Sequence, residues 1–427
     1  MEVKNMKFLK GLIATALVIG ILICLLIMAN SINEEIMKEY IDSFEKVEIE
    51  DQIAPDTTLH FSATGDSNIS INYYPFNTVF TTDRDFKVMH LTDIHLGGGV
   101  FSVEQDKKAL NAVAAMITEK KPDLVIVTGD IHSYFVPWSG TLNNSYAHNM
   151  FIRLMENLGV YWTVTLGNHD AESYNRYNRS GVADLYENKN LKYCLFERGP
   201  SDVYGEGNHI ISVKNSLGLV TQSFVMMDTN AYTDEDPLGL GWVYDNIHED
   251  QILWYRNSIE KLNNYNKVIL DNLAVKPENI EDFETVQSLL FVHIPILEVR
   301  DAVNKYFAES EEVEYLGGKI GESDPYVYSS EVPEEMFETM IELGSTKGMF
   351  FGHDHLNNIV LEYQGIKLSY GYSVDYFAYS GIASVGSQRG CTIINCKPDT
   401  SFDIIHENYY QDKYQPLYEK EVVDLTN

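Results

Sequence analysis

The chain has 427 residues, of which 44% are hydrophobic and 12% aromatic, including 28 tyrosines. That length supports one large domain or two modest ones around a sizeable core. The formal net charge of −32 repels nucleic-acid phosphates, which excludes a nucleic-acid-binding role, and it also opposes docking of the body on anionic lipid.

In chain order, the first expected element is a membrane helix. Lys4, Lys7 and Lys10 precede an uncharged run from Gly11 to Met28, and Glu34 and Glu35 follow it. At about 1.5 Å per residue the run spans roughly 27 Å, close to the hydrocarbon thickness of a bilayer. Residues 1–30 therefore read as a signal-anchor, with lysines before the span placing the N-terminus in the cytoplasm and the body outside it. Secretion after signal cleavage is the alternative, with Ile27 and Ala29 acceptably placed before a cut. Residues 31–84 read as a linker and short approach region, with Ile69–Tyr74 as a candidate short strand.

From Phe86 onward, short apolar runs alternate with helical patterns, the signature of an α/β sheet. Val88 to Leu91 leads into Asp93 and His95, and Leu124 to Val127 into Gly129 and Asp130. Trp162 to Leu166 leads into Gly167, Asn168, His169 and Asp170. Leu289 to Val292 leads into His293, and Met349 to Phe351 into Gly352, His353, Asp354 and His355. Open α/β sheets place their sites beyond the carboxyl ends of their strands, so all five clusters can meet in one crevice. Between them, Ser102 with Gln105 resembles a capping box opening a helix to about Lys120, stopped by Pro122. Asn149–Leu158 and Glu249–Leu262 read as helices, the latter with Ile252, Leu253, Ile259 and Leu262 facing the core. A further helix opens at Pro333 and closes at Gly344. Asp234–Asn246 is acidic and Gly-rich and reads as a surface loop. Cys194, Cys391 and Cys396 are odd in number beyond the apolar segment, and no required disulfide is expected.

The clusters supply two carboxylates, one amide and four imidazoles. This nitrogen and oxygen set suits Zn, Mn, Fe or Co. The absence of thiolate argues against a structural zinc site. Seven donors exceed the needs of one tetrahedral ion and suit two ions sharing a carboxylate. Such a pair can lower the pKa of a bound water toward about 7 and clamp a phosphoryl group. The remaining polar residues near these clusters have ordinary readings. His90 and Asp228 read as packing or supporting residues, and Arg176, Arg179 and Arg389 as possible partners of a phosphate.

The blocks Asp93-Ile94-His95, Gly129-Asp130, Gly167-Asn168-His169-Asp170, His293 and Gly352-His353-Asp354-His355 resemble the calcineurin-like metallophosphoesterase superfamily, in order and spacing, from about residue 86 to 395. Gly199-Pro200, Gly205-Glu206-Gly207-Asn208, Asp250-Gln251, Trp254-Tyr255, His293-Ile294-Pro295 and Asn357 look like the purple-acid-phosphatase-related branch that includes fungal membrane-associated phosphatases. The resemblance implies a four-layer α/β/β/α sandwich over residues 85–412, followed by a C-terminal tail at 413–427. It also implies two transition-metal ions (Fe, Mn or Zn) at the carboxyl ends of the strands. Asp93, His95, Asp130 and His355 would hold one ion, and Asp130, Asn168, His293 and His353 the other. His169 would face the substrate, with Asp170 orienting it; Arg389 and Arg176 would bind substrate. The purple enzymes carry a Tyr three residues after the Gly-Asp aspartate. Here that residue is Ser133, with Tyr134 one place later, so no purple Fe(III)-tyrosinate centre is expected. The implied activity is hydrolysis of phosphomonoesters by metal-bound water or hydroxide, with no obligatory protein partner. A phosphodiesterase or nucleotidase on the same scaffold, or a non-catalytic anchored binding protein, are the alternatives.

Overall fold

A computed structural model describes residues 2–56, 78–133, 136–277, 279–324, 326–379, 382 and 389–408. The candidate strand Ile69–Tyr74, Tyr134 and the tail 413–427 lie outside the described residues. The helices are α1 Glu2–Asp42, α2 Val103–Lys120, α3 Val136–Ser139, α4 Ser145–Leu158, α5 Arg179–Tyr186, α6 Glu249–Asn272, α7 Glu281–Glu284, α8 Leu297–Phe307 and α9 Met336–Leu343. The strands are β1 Thr78–Thr81, β2 Phe86–Leu91, β3 Leu124–Thr128, β4 Tyr161–Thr165, β5 His209–Lys214, β6 Val220–Met226, β7 Ser288–Phe291, β8 Val313–Gly317, β9 Thr346–Phe351, β10 Val360–Tyr363, β11 Ile366–Tyr370, β12 Gly390–Cys396 and β13 Phe402–Asn408.

The strands form two sheets. One has eight strands in the order β1-β5-β6-β7-β9-β11-β10-β8; the other has five in the order β13-β12-β2-β3-β4. Runs such as LVIVT in β3 are apolar on both faces because both faces are covered. Between the sheets, Phe86, Val88, Leu124 and Ile126 meet Phe224, Leu289, Phe291 and Phe350. The rings of Phe291 and Phe350 stack with centroids 5.0 Å apart. Helices α1, α2, α4 and α5 cover the outer face of the five-stranded sheet. Helices α6, α8 and α9 cover that of the eight-stranded one. The result is the four-layer α/β/β/α sandwich expected from the resemblance. β2, β3 and β4 run parallel in one sheet, and β6, β7 and β9 in the other. The loops after β2, β3, β4, β7 and β9 carry the five donor clusters.

Several boundaries move where tertiary contacts decide them. Helix α2 forms as expected, but the Ser102 hydroxyl makes no cap. It bonds the Asp106 carboxylate at 2.8 Å and accepts from the Gly99 amide at 3.2 Å. Helix α4 starts at Ser145, a turn before the expected Asn149. Helix α6 continues past Leu262 to Asn272, and Leu253 on its outward side is 57% exposed. Helix α9 begins at Met336 instead of Pro333 and closes at Gly344 as expected. No disulfide forms among the described residues.

The stretch read as an approach region begins inside α1. The helix runs on through residues 31–42, and Met37 and Ile41 are buried against the body. Arg153 on α4 pairs with Asp42 through Nε at 2.6 Å and Nη2 at 2.5 Å. Asn157 donates to the Ile41 carbonyl at 3.0 Å. Ile41→Ala is expected to destabilise the catalytic body by about 2–4 kcal/mol, the usual cost of emptying a buried aliphatic site. Denaturant unfolding measures it; an unchanged midpoint would show that this stretch is not part of the cooperative unit.

Candidate metal centre

Each cluster owes its position to a sharp turn at a strand end. Asp93, His95, Asp130 and His353 all adopt left-handed backbone, with φ of 51°, 51°, 52° and 74°. Left-handed geometry is uncommon outside glycine. Gly129, at φ 76°, precedes Asp130 and packs so closely on Gly167 that a Cβ would strike the Gly167 amide. That contact brings the loops after β3 and β4 together.

The donor atoms converge in two groups that share Asp130. Asp93, His95, Asp130 and His355 form one, and Asp130, His293 and His353 the other; within each group the donor atoms lie within 4.8 Å of one another. His95 Nε2 stands 3.1 Å from His355 Nε2, 3.7 Å from Asp93 Oδ1 and 3.5 Å from Asp130 Oδ2. His293 Nε2 lies 3.1 Å from Asp130 Oδ2 and 3.1 Å from Asn168 Oδ1. The His353 ring sits 5.3 Å from that of His293, centroid to centroid. All seven predicted donors therefore meet at one place.

This donor set fits cations. Asp130 Oδ2 is fully buried and faces His293 Nε2 at 3.1 Å and His95 Nε2 at 3.5 Å. A buried carboxylate oxygen is expensive unless it meets a positive charge. Burial raises the Asp130 pKa, but His293, His169 and His95 together hold the carboxyl well below its usual range. Burial likewise lowers His293, yet the Asp130 carboxylate lifts it to about 9. For His355, burial lowers the pKa, but the carboxylates of Asp375, Asp93 and Asp130 together raise it to about 9. Carboxylates thus hold protons on imidazoles at neutral pH where a cation would displace them.

Other side chains support the donors. His293 Nδ1 lies 2.6 Å from the Thr128 carbonyl, which fixes the ring with Nε2 toward Asp130. Asp93 accepts from Thr92 Oγ1 at 2.8 Å and from the His353 amide. His355 Nδ1 lies 3.4 Å from Asp375 Oδ2.

His169 is correctly adjacent to the site, but its expected partner is not the one observed. Asp170 turns inward and accepts the backbone N–H groups of Asp130, Ile131, His132 and Gly167, at 2.8–3.1 Å. It ties the β3 and β4 loops together. Glu172 holds His169 instead, with Oε1 2.7 Å from Nδ1. The His169 amide donates to Asp130 Oδ1 at 2.8 Å.

The expectation for Arg389 also needs correction. Arg389 is 2% exposed, stacks 3.9 Å over the Tyr376 ring and donates to the Asp375 carbonyl. It braces the residue behind His355 and is too buried to meet substrate. Arg176 lies over the Tyr177 ring on the loop after β4. Arg179 grips the Gly167 carbonyl at 2.7 Å and pairs with buried Asp228, so it shapes the Asn168–His169 turn. His90 is a buried packing residue, 2.7 Å from Thr128 Oγ1.

Glu172, Asp375, Tyr232 and Tyr244 were not singled out in the sequence. Tyr232 accepts a hydrogen bond from Asn168 Nδ2 at 3.0 Å, and Tyr244 sets its ring edge-on to His353 at 4.6 Å. Tyr244 belongs to the loop expected only at the surface, and Tyr232 lies two residues before it. Asp236 folds that loop back by accepting from the Leu240, Gly241 and Val243 amides.

The profile of the calcineurin-like phosphoesterase family matches residues 86–368. Over 330 residues the chain is 26% identical to a protein of Arabidopsis thaliana named probable inactive purple acid phosphatase 14, covering 71% of this chain and 74% of that one. It is 25% identical over 306 residues to phosphatase DCR2 of Saccharomyces cerevisiae, covering 66% of this chain and 46% of the yeast protein. Among solved structures, a dimetal phosphatase from Danio rerio overlays with a TM-score of 0.48 at 12% identity, over 76% of this chain and 97% of that one.

Proposed function

Because this chain belongs to the calcineurin-like phosphoesterase family, we propose that it is a phosphomonoesterase using two cations, held outside the cytoplasm by α1. Asp93, His95, Asp130 and His355 would hold one cation, and Asp130, Asn168, His293 and His353 the other, with Asp130 shared. The cations supply Lewis-acid polarisation of the phosphoryl group and activation of water. The protein's own part lies with His169 and the groups that place it. Glu172 accepts from Nδ1 and fixes the ring; Nε2, the other nitrogen, would give its proton to the leaving oxygen. Asp170 and Arg179 hold the turn that presents the ring beside Asn168.

The observation that carries this reading is the buried Asp130 oxygen set between the imidazoles of His95 and His293, which come from two different loops. The Arabidopsis relatives carry the word inactive in their names, so turnover itself separates catalysis from a binding role. Turnover assays with p-nitrophenyl phosphate and bis-p-nitrophenyl phosphate, with and without Zn, Mn or Fe, test it. Metal-dependent hydrolysis of the monoester is expected to exceed that of the diester. A diester preference would assign a phosphodiesterase, and absence of turnover with every metal would leave only the binding role.

The anchor reading rests on the apolar length of α1 and on lysine before the span with acid after it. Protease added to intact cells is expected to digest the body. A protected body would reverse the orientation, and a mature N-terminus near Asn30 would make the protein secreted.

A further inference from the structure

Three large apolar side chains stand in water at one spot on the body. Phe101 is 60% exposed, Trp138 62% and Leu142 51%. They come from the loop after β2 and from α3 with the turn that follows it, and both stretches are bonded to one residue of α1. Asn30 of α1 donates through Nδ2 to the Gly140 carbonyl at 2.8 Å and accepts through Oδ1 from the Val100 amide at 2.8 Å. Trp138 and Leu142 flank Gly140 in sequence, and Phe101 follows Val100. The loops are locked to each other, with the Phe101 amide bonded to the Ser139 carbonyl at 3.1 Å. Gly140, at φ 84°, leaves room for the Phe101 ring; a Cβ there would stand 2.9 Å from its Cδ2.

We propose that Phe101, Trp138 and Leu142 form a collar that enters the interfacial layer of the bilayer at the root of α1 and seats the catalytic body on neutral lipid. This rests on the anchor reading above. Asn30 is two residues beyond the end of the uncharged run at Met28, or roughly 3 Å along the helix axis. The interfacial layer on each side of the hydrocarbon is about 5–8 Å deep. The atoms that hold the collar therefore fall within it. Tryptophan favours that layer, and phenylalanine and leucine are buried at the boundary between headgroups and acyl chains. The apolar surface of α1 also continues outward through Ile32, 61% exposed, and Ile36, 49% exposed, one turn apart on the same face. The contact draws on burial of apolar rings and not on headgroup charge, as a chain of net charge −32 requires.

The contact is rigid because α1 does not end at the membrane. Its continuation packs on α4 through Ile41 and Asp42, so the collar and the helix form one unit. The same unit reaches toward the metal centre: the loop holding Phe101 starts directly after His95, and the Leu142 carbonyl accepts the Arg176 amide at 2.9 Å.

Full-length protein reconstituted in phosphatidylcholine nanodiscs gives the test. Tryptophan fluorescence is read with lipids spin-labelled near the headgroup, for the wild type, W138F and W242F. Trp242 is 63% exposed and lies on the loop that carries Tyr244, with its ring edge-on to Tyr328. The expected result is lipid quenching in the wild type that is lost in W138F and kept in W242F. Equal quenching in wild type and W138F, in protein that resists alkaline carbonate extraction, would overturn the collar while leaving the anchor intact. Release of the protein by carbonate would overturn the anchor, and the collar with it.

Discussion

Asp130→Asn is expected to remove both cations together and to lower turnover by at least about 10³-fold, since the charge stabilisation at such centres amounts to several kcal/mol. The carboxylate belongs to both donor groups, and its Oδ2 lies within 3.5 Å of His95 Nε2 and 3.1 Å of His293 Nε2. Asparagine keeps the size and an oxygen to accept the His169 amide, so the turn after β4 survives the change. What disappears is the negative charge that both cations would share. Elemental analysis of the purified variant, beside kcat on p-nitrophenyl phosphate, measures both effects. A variant that kept two metal equivalents and near-normal turnover would remove Asp130 from the bridge.

His169→Ala separates proton transfer from cation binding. The side chain is partnered by Glu172 through Nδ1 and is not among the grouped donors. Metal content is therefore expected to stay intact while kcat falls by about 10²–10⁴-fold, the usual worth of general acid–base help. The loss should be greatest for alkyl phosphates, whose leaving oxygen needs the proton most, and smaller for the p-nitrophenyl ester. Equal losses on both substrates would assign His169 to charge stabilisation. Loss of one metal equivalent would place it among the ligands.

The donor clusters were legible because each follows an apolar run directly, and a strand end fixes where the next two or three residues go. Asp93, His95, Asp130, Asn168, His293, His353 and His355 all sit within that reach. Legibility stops where direction depends on tertiary neighbours. Asp170 follows His169 in sequence, but four backbone N–H groups draw its carboxylate inward. Glu172 reaches the ring because the chain turns after Asp170, and nothing in its residue type announces that. Arg389 follows a Gly-rich segment that reads as open loop, yet its guanidinium is stacked on Tyr376. The composition of residues 234–246 says solvent, while the three amides bound by Asp236 say that the loop returns to the site. The long α1 was legible only in its apolar half, since the packing of Met37 and Ile41 needs α4 to be in place.

The left-handed backbone at Asp93, His95, Asp130 and His353 bears on what sequence drift would do to this chain. An L-residue held there gives up roughly 1–2 kcal/mol, less for aspartate, and glycine almost none. A copy released from chemistry would gain stability by drifting to glycine at these four positions, and selection for folding alone would favour that path. The four donors therefore stand where a glycine would be more comfortable, and substituting glycine at any one of them is expected to cost the site a donor without a matching loss of fold stability.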